Sequence, residues 1–389
     1  MKVTVLGAGI GGLSTAIALK HKGFDVDVYE RHSSRTDIGA GIVCWPNASF
    51  VLNELDMLDD IASISGRPIT MQRRSNQGED LGSLDIVKLN ERMGYPSFSI
   101  FRKDLMKILG LHTSQLGIDV KYNHTVTKLS STQAGLSQIH LNNGTIVQTD
   151  LIIGADGRMN SIARAYVNGD NQPVYQKFIN WIGVYQSEQA IFEEIVIGDY
   201  WGVGERFGIV PISSNKAYWA GAVAASEIND REPANYKRDL LSLFQHWPEP
   251  ISTIINETPL TDINKIYVHD HNPMDTWHKN NVLVIGDAAH APLPTSGQGA
   301  CQALEDAWHL AKLLEKDCTN LAMIFQEFTK IRLAKTTGIT LGARQFASSL
   351  FNTDSTFCMQ RNLSSKAIDY NAVIEGMSKG WASGLPINV

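Results

Sequence analysis

The sequence predicts an α/β protein: a Rossmann-like dinucleotide-binding domain interrupted by an inserted antiparallel β-sheet domain and followed by a C-terminal helical segment. Three observations carry this. Gly7-x-Gly9-x-x-Gly12 follows the short apolar run Val3–Leu6, and a second glycine-rich turn, Gly286-Asp287 through Gly299, follows the run Val282–Ile285 about 280 residues later. Between them, from Tyr175 to Tyr267, the texture changes to aromatic-rich alternation, as in Ala217-Tyr-Trp-Ala-Gly-Ala-Val.

Taken in order, Val3–Leu6 reads as a buried strand and Leu13 to Lys20 as a helix whose small and apolar residues suit close packing on a sheet. The three glycines serve tight turning, close backbone approach to a pyrophosphate, and helix-to-strand packing. Asp25 to Glu30 is the second strand. Glu30, 23 residues after Gly7, can accept hydrogen bonds from a ribose hydroxyl and disfavours a 2′-phosphate there. Gly39-Ala-Gly-Ile42 and Pro46-Asn47-Ala48 read as a loop entering a helix. Arg102 stands before the apolar stripe Leu105, Ile108 and Leu109, at a helix's N-terminal edge, where a solvated arginine is an equally good reading.

The β-rich insertion would wall a substrate pocket, although most of its aromatics would fill a sheet core in any such fold. Gly299 to Lys316 is a helix with Ala303, Ala307, Leu310 and Leu314 on one face; its free N–H groups could face an anion. From Thr329 to Val389 helical patterns continue, ending in a Gly/Ser/Pro-containing tail. The resulting division is 1–174 for the first part of the nucleotide domain, with about 69–100 joining the inserted sheet, 175–270 for the insertion, 271–345 for the second part, and 346–389 for the helical tail. Two nucleotide-binding elements so far apart predict one large cofactor, FAD.

Composition limits the alternatives. With 389 residues, 43% hydrophobic, 19% charged and net charge −6, the chain can bury a large cofactor and has no basic run for nucleic acid. Cys44, Cys301, Cys318 and Cys358 form no close pair and have no histidines at zinc-site spacing, so no metal is expected and a reducing, cytoplasmic setting is. Lys2 and the apolar run after it mimic a secretion signal, but the glycines and the strand-turn-helix pattern argue against one. No segment has the length of a membrane span. A monomer and a homodimer are both compatible with this composition.

Jointly, Gly7-x-Gly9-x-x-Gly12 with Glu30, Arg102 before its helix, Gly154-Ala-Asp156-Gly157 with Ser161-x-x-Arg164, and Gly286-Asp287-x-x-His290 through Pro294 to Glu305-Asp306-Ala307 resemble the single-component FAD-dependent aromatic hydroxylases, over roughly residues 1–345. This group includes the para-hydroxybenzoate, salicylate and 6-hydroxynicotinate hydroxylases and the FAD-dependent urate hydroxylases. The resemblance implies FAD contacts at Gly7, Gly9, Gly11, Gly12, Glu30, Arg31, Gly41, Ile42, Arg102, Asp156, Gly157, Asp287, Pro294, Gly297, Gln298, Gly299 and Ala300. Asp156-Gly157 would also serve a transient NADH or NADPH, and Asp287 a ribitol or ribose hydroxyl. On residues alone, Asp156-Gly157 is equally a turn after the strand Leu151–Ile153. One residue more than usual separates it from Ser161, so Met159 or Asn160 looks inserted.

The activity implied is NAD(P)H- and O2-dependent hydroxylation of a small planar aromatic or N-heterocycle through a flavin C4a-hydroperoxide. Pro294 would lie beside the flavin. Arg206 could pair with an anionic substrate and Tyr218 relay a proton, their alternatives being a surface arginine and a core tyrosine. His290 is expected to order local backbone rather than act as base. Thr295 stands where the urate-type enzymes carry an acid, which speaks against urate. The rival expectations are a flavin-dependent reductase on the same scaffold and a non-catalytic flavin-binding protein; a halogenase is disfavoured because its Trp-x-Trp-x-Ile-Pro signature is absent.

Overall fold

The computed structural model describes residues 1–34, 40–132 and 135–389, so Gly39 of the glycine-rich segment lies outside the described residues. Lys2–Leu6 is the centre of a six-stranded sheet with the strand order His278–Lys279, Val282–Val284, Leu151–Gly154, Lys2–Leu6, Asp25–Tyr29, Asp119–Lys121. All neighbours are parallel except the first pair. Central strands buried on both faces read as continuous apolar runs, which is why Val3, Val5, Ile152, Ile153 and Val282–Val284 are fully buried. Both nucleotide-binding turns leave the carboxyl ends of adjacent parts of this sheet, where open α/β sheets bind ligands.

Helices Ile10–His21 and Gly299–Lys316 pack together over the sheet, with Gly11 and Ala303 at their closest approach: a Cβ on Gly11 would lie 3.3 Å from the Ala303 Cβ. Gly41–Cys44, read from sequence as loop, is instead a strand pairing antiparallel with Phe98–Phe101. Backbone pairing to a partner more than fifty residues away overrode a local glycine signal. The helix Pro46–Glu54 follows, as its proline predicts.

The alternating aromatic region folds as expected into antiparallel strands, forming most of a seven-stranded sheet: Asn264–Asp270, Val174–Gln186, Lys216–Ala224, Glu205–Ser213, Val196–Trp201, Thr70–Ser75 and Asp80–Asp85. One face buries Trp181, Tyr185, Phe207, Ile209 and Trp219 against helices Tyr236–Phe244 and Ile251–Glu257. The opposite face turns toward the nucleotide domain. The 30-residue helix Leu321–Leu350 runs behind both parts and is followed by helices Ser355–Lys366 and Tyr370–Ala382.

Candidate active site

The first turn is fixed by contacts that leave no room for side chains. Gly7 has φ +101°, and a Cβ there would lie 2.3 Å from the carbonyl oxygen of Ala155, while one on Gly12 would lie 1.9 Å from the oxygen of Gly7. At Gly9 a Cβ would meet nothing within 4 Å among the described residues. Gly9 also caps helix Ile10–His21 without a side-chain hydrogen bond, leaving the helix's first N–H groups for an anion. Glu30 accepts from Ala8 N and His32 N, both at 2.8 Å. Burial pushes its carboxyl upward, but those N–H groups outweigh it and hold the group below the usual carboxylate range. Arg31 is exposed beside it, its Nη1 reaching the Asn160 carbonyl at 3.5 Å.

At the second turn Asp287 is exposed while Ala288, Ala289 and His290 after it are buried. Pro294 and Gly297 are exposed, Gln298 is buried, and Gly299 and Ala300 open the next helix, which has no side-chain cap. The space at Gly9 before a helix without a side-chain cap, the carboxylates of Glu30 and Asp287, and the turn Pro294–Ala300 before a second such helix would suit the phosphate, hydroxyl and ring portions of FAD. These residues therefore fit the cofactor. Arg102 begins helix Arg102–Gln115, its backbone N bonded to Ala40 O at 2.8 Å, which brings it beside Gly41 and Ile42.

Asp156 is placed differently from a simple cofactor ligand. Its carboxylate accepts from the Ser161 hydroxyl at 2.5 Å and Ala163 N at 3.1 Å, and Ser161 in turn caps helix Ile162–Asn168. Arg164, on that helix, donates to the carbonyls of Ala288 and Ala289 at 2.9 and 3.0 Å. The motif thus locks the second turn from below. Gly157 has φ +85° and open space around it. The extra residue is absorbed in a segment held carbonyl by carbonyl: those of Arg158, Met159 and Asn160 accept from His271, Asn171 and Arg31.

The largest feature unread in the sequence is a buried charged cluster. Arg332, fully buried, donates to Asp306 at 2.7 Å and to Glu305 at 2.5 Å. Lys335 bonds both Glu305 oxygens at 2.8 and 2.9 Å. Asp306 also accepts from Gly286 N at 2.8 Å and meets His290 Nε2 at 2.7 Å. Glu305 receives Asn47 and Gln302, both of which also bond Gln298. Adjacent acids on a helix face carrying Ala303 and Ala307 were the available signal; their basic partners lie 26 to 30 residues further on, in another helix. Burial pushes both carboxyls up, but His290 and Arg332 at Asp306, and Arg332 and Lys335 at Glu305, hold them well below their usual range. His290 is thereby tied to Asp306, which in turn accepts from the Gly286 backbone.

His309 gives a pH signature. Burial, with Arg332 nearby, pushes it down to about 4, and its Nε2 has no hydrogen-bond partner among the described residues. An unfolded chain protonates this ring from about pH 6.5 downward while the folded one does not, so this group makes stability fall as pH drops from about 6.5 to about 4, and does nothing above. His271 and His278, also lowered by burial, add to the slope. The urea midpoint of a His309→Leu variant should fall less steeply across that window than wild type; equal slopes would show that His309 does not titrate as described.

On the sheet face toward these turns, register places Tyr218 opposite Val210 and Asp199 opposite Gly208, so Arg206, Tyr218 and Asp199 share one side. Asp199, buried, holds Arg206 Nε at 2.6 Å, and Arg206 remains partly exposed, its two Nη nitrogens making no hydrogen bond among the described residues. Burial pushes the Tyr218 phenol up to about 12, with Arg206 pulling the other way, so at neutral pH it carries its proton. Thr295 donates to the Ala343 carbonyl at 3.2 Å. Gly41 lies against Tyr218: a Cβ there would be 1.7 Å from Tyr218 Cδ1. Gly41→Ala should therefore displace the Tyr218 ring at a cost of about 1–3 kcal/mol, lowering kcat/KM. Wild-type kinetics in that variant would mean the ring's position is immaterial.

The parallel sheet, the two glycine turns and the opposing substrate-side face define a flavin-binding α/β protein. The family model described as "FAD binding domain" matches residues 1–322, and the chain belongs to that family. It is 31% identical over 353 residues to the FAD-dependent urate hydroxylase of Mycolicibacterium vanbaalenii, covering 89% of this chain and 87% of that one. It is 30% identical over 344 residues to the aurachin C monooxygenase/isomerase of Stigmatella aurantiaca, covering 88% of each. The solved structure of Klebsiella pneumoniae HpxO complexed with FAD and uric acid superposes with a TM-score of 0.91 at 28% identity, covering 99% of this chain and 97% of that one. The protein is thus an FAD-dependent monooxygenase of the aromatic-hydroxylase kind. No helix among the described residues is long and apolar enough to cross a membrane.

Proposed function

We propose that this enzyme hydroxylates a small planar aromatic or N-heterocyclic substrate that binds as an anion, using NAD(P)H and O2. The observation that carries the reading is the Asp199-held guanidinium of Arg206 on the same sheet face as Tyr218, whose ring packs against Gly41. The flavin that these residues would hold would supply the redox chemistry that couples NAD(P)H and O2, as the sequence resemblance implies. The protein's share is to bind, orient and keep dry.

In this reading Arg206 anchors the substrate's negative charge through its Nη nitrogens. Tyr218, holding its proton, donates a hydrogen bond to the substrate and does not serve as base. Pro294 and the Gly297–Ala300 backbone would border the flavin, where the N-terminus of helix Gly299–Lys316 would favour negative charge. Glu30, Arg31, Ile42, Arg102 and Asp287 serve its remaining parts. Thr295, a neutral hydroxyl occupied with Ala343, leaves no carboxylate base in the turn, so substrates that ionise readily by themselves are favoured over urate. Cysteines that are all free support a cytoplasmic setting.

The deciding experiment gives the yellow holoenzyme NADH or NADPH, isotopically labelled O2 and a panel of phenolic acids, hydroxypyridines and urate. Ligand-stimulated NAD(P)H oxidation with one labelled oxygen in the product is expected. Oxidation that no panel member stimulates, or a reduced product formed without O2, would overturn the reading.

A further inference from the structure

Helix Tyr370–Ala382 and the residues after it reach the flavin turn by two separate routes. The polar route starts at Lys335, whose Nζ donates to the carbonyls of Trp381 and Ser383 at 2.7 and 3.0 Å and to both oxygens of Glu305. Glu305 accepts from Asn47 at 2.7 Å, and the same Asn47 nitrogen reaches the Gln298 side chain at 2.9 Å. The aromatic route starts at Trp381, whose ring lies 5.2 Å from that of Trp45. Trp45 Nε1 comes within 3.1 Å of where a Gly297 Cβ would stand. The two routes end on neighbouring residues, Gly297 and Gln298. They also pass through both ends of one short stretch, Trp45 to Asn47, which leads into helix Pro46–Glu54.

A tail that merely covered apolar surface would not need a nearly buried lysine with all its contacts divided between the helix end and a buried acid. Side chains that set a binding geometry must themselves be locked by packing and hydrogen bonds. We propose that the C-terminal helix is a positioning element for FAD: Lys335 and Trp381 hold the Gly297–Gln298 turn in the conformation that receives the isoalloxazine portion. Neither residue touches the cofactor in this scheme; each acts through Glu305, Asn47 and Trp45. The family match ends at residue 322, so this element lies wholly beyond it. The inference rests on FAD binding at these turns and not on the identity of the substrate.

The test compares Trp381→Ala and Lys335→Met with the conservative Trp381→Phe and Lys335→Arg, all as full-length holoenzyme. The rate of FAD release, read from the recovery of flavin fluorescence, and the visible circular dichroism of bound flavin are measured beside the urea midpoint. Release about tenfold faster or more in the first pair, with altered flavin dichroism and substantial restoration in the conservative pair, is the expected result. Release and dichroism within about twofold of wild type, whatever happens to the urea midpoint, would overturn the proposal and leave the tail a cover. Should Lys335→Met fail to fold, Trp381→Ala decides alone, since its aromatic route carries no buried charge.

Discussion

Replacing Arg332 by methionine should destabilise the protein by about 3–5 kcal/mol, the cost typical of removing one partner from a buried ion pair. The residue is fully buried, with Nε on Asp306, Nη1 on Glu305 and Nη2 on the Gln302 side chain and carbonyl. Methionine fills most of the volume but leaves two carboxylates in the interior without the guanidinium, facing Lys335, His290 and the neutral donors of Gly286, Asn47 and Gln302. The sign of the pH dependence separates this from a packing defect. In wild type both carboxyls sit below their unfolded values, so their contribution is present above about pH 4 and is lost as pH falls. In the variant burial is far less opposed and their pKa values rise, so the stability gap to wild type should narrow on acidification. Urea midpoints at pH 7 and near pH 4.5 check this; a gap that stays constant, or a loss under about 1 kcal/mol, would mean the cluster is not held together by charge.

Arg206→Gln should lower kcat/KM by about 10–100-fold, as expected for losing charge-assisted hydrogen bonds of about 1.5–3 kcal/mol to an anionic substrate. Glutamine cannot present two parallel donors with a positive charge. NAD(P)H consumption should become uncoupled, with less hydroxylated product and more hydrogen peroxide per cofactor oxidised. FAD release should stay within about twofold of wild type, since among the described residues no hydrogen bond joins Arg206 to the two glycine turns. Asp199→Asn should produce a weaker version of the same change, because Asp199 orients Arg206 through Nε. Unaltered coupling and KM in Arg206→Gln would move the anion site elsewhere on that sheet face.

Much of the nucleotide fold was legible because its signals are local. A glycine forced to φ +101° with a carbonyl oxygen where a Cβ would stand, as at Gly7, tolerates one residue type, and that requirement is written in the sequence. The helix Gly299–Lys316 and the alternating strands of the insertion follow from short-range periodicity. Gly41 shows the opposite case. Its small size reads as loop, yet it is a strand residue kept small by the Tyr218 ring, 177 positions away and on the other sheet. The roles of Asp156 and Arg164 were likewise hidden, since an Asp-Gly turn does not announce that its carboxylate binds the start of a helix whose arginine holds the second glycine turn.

The sequence by itself determined the class: two glycine turns at the ends of buried strands, an acid after the second strand and an aromatic-rich insertion leave a flavin-dependent fold as the consistent outcome. Only the tertiary structure decided which charges meet. Pairing of Glu305 and Asp306 with Arg332 and Lys335, of Arg206 with Asp199, and of Lys335 with the end of the last helix depends on how separate elements cross. Strand and helix formation depend on neighbours within a few residues, whereas a buried ion pair needs two distant backbones to bring opposite charges within about 3 Å, and no spacing along the chain encodes that distance.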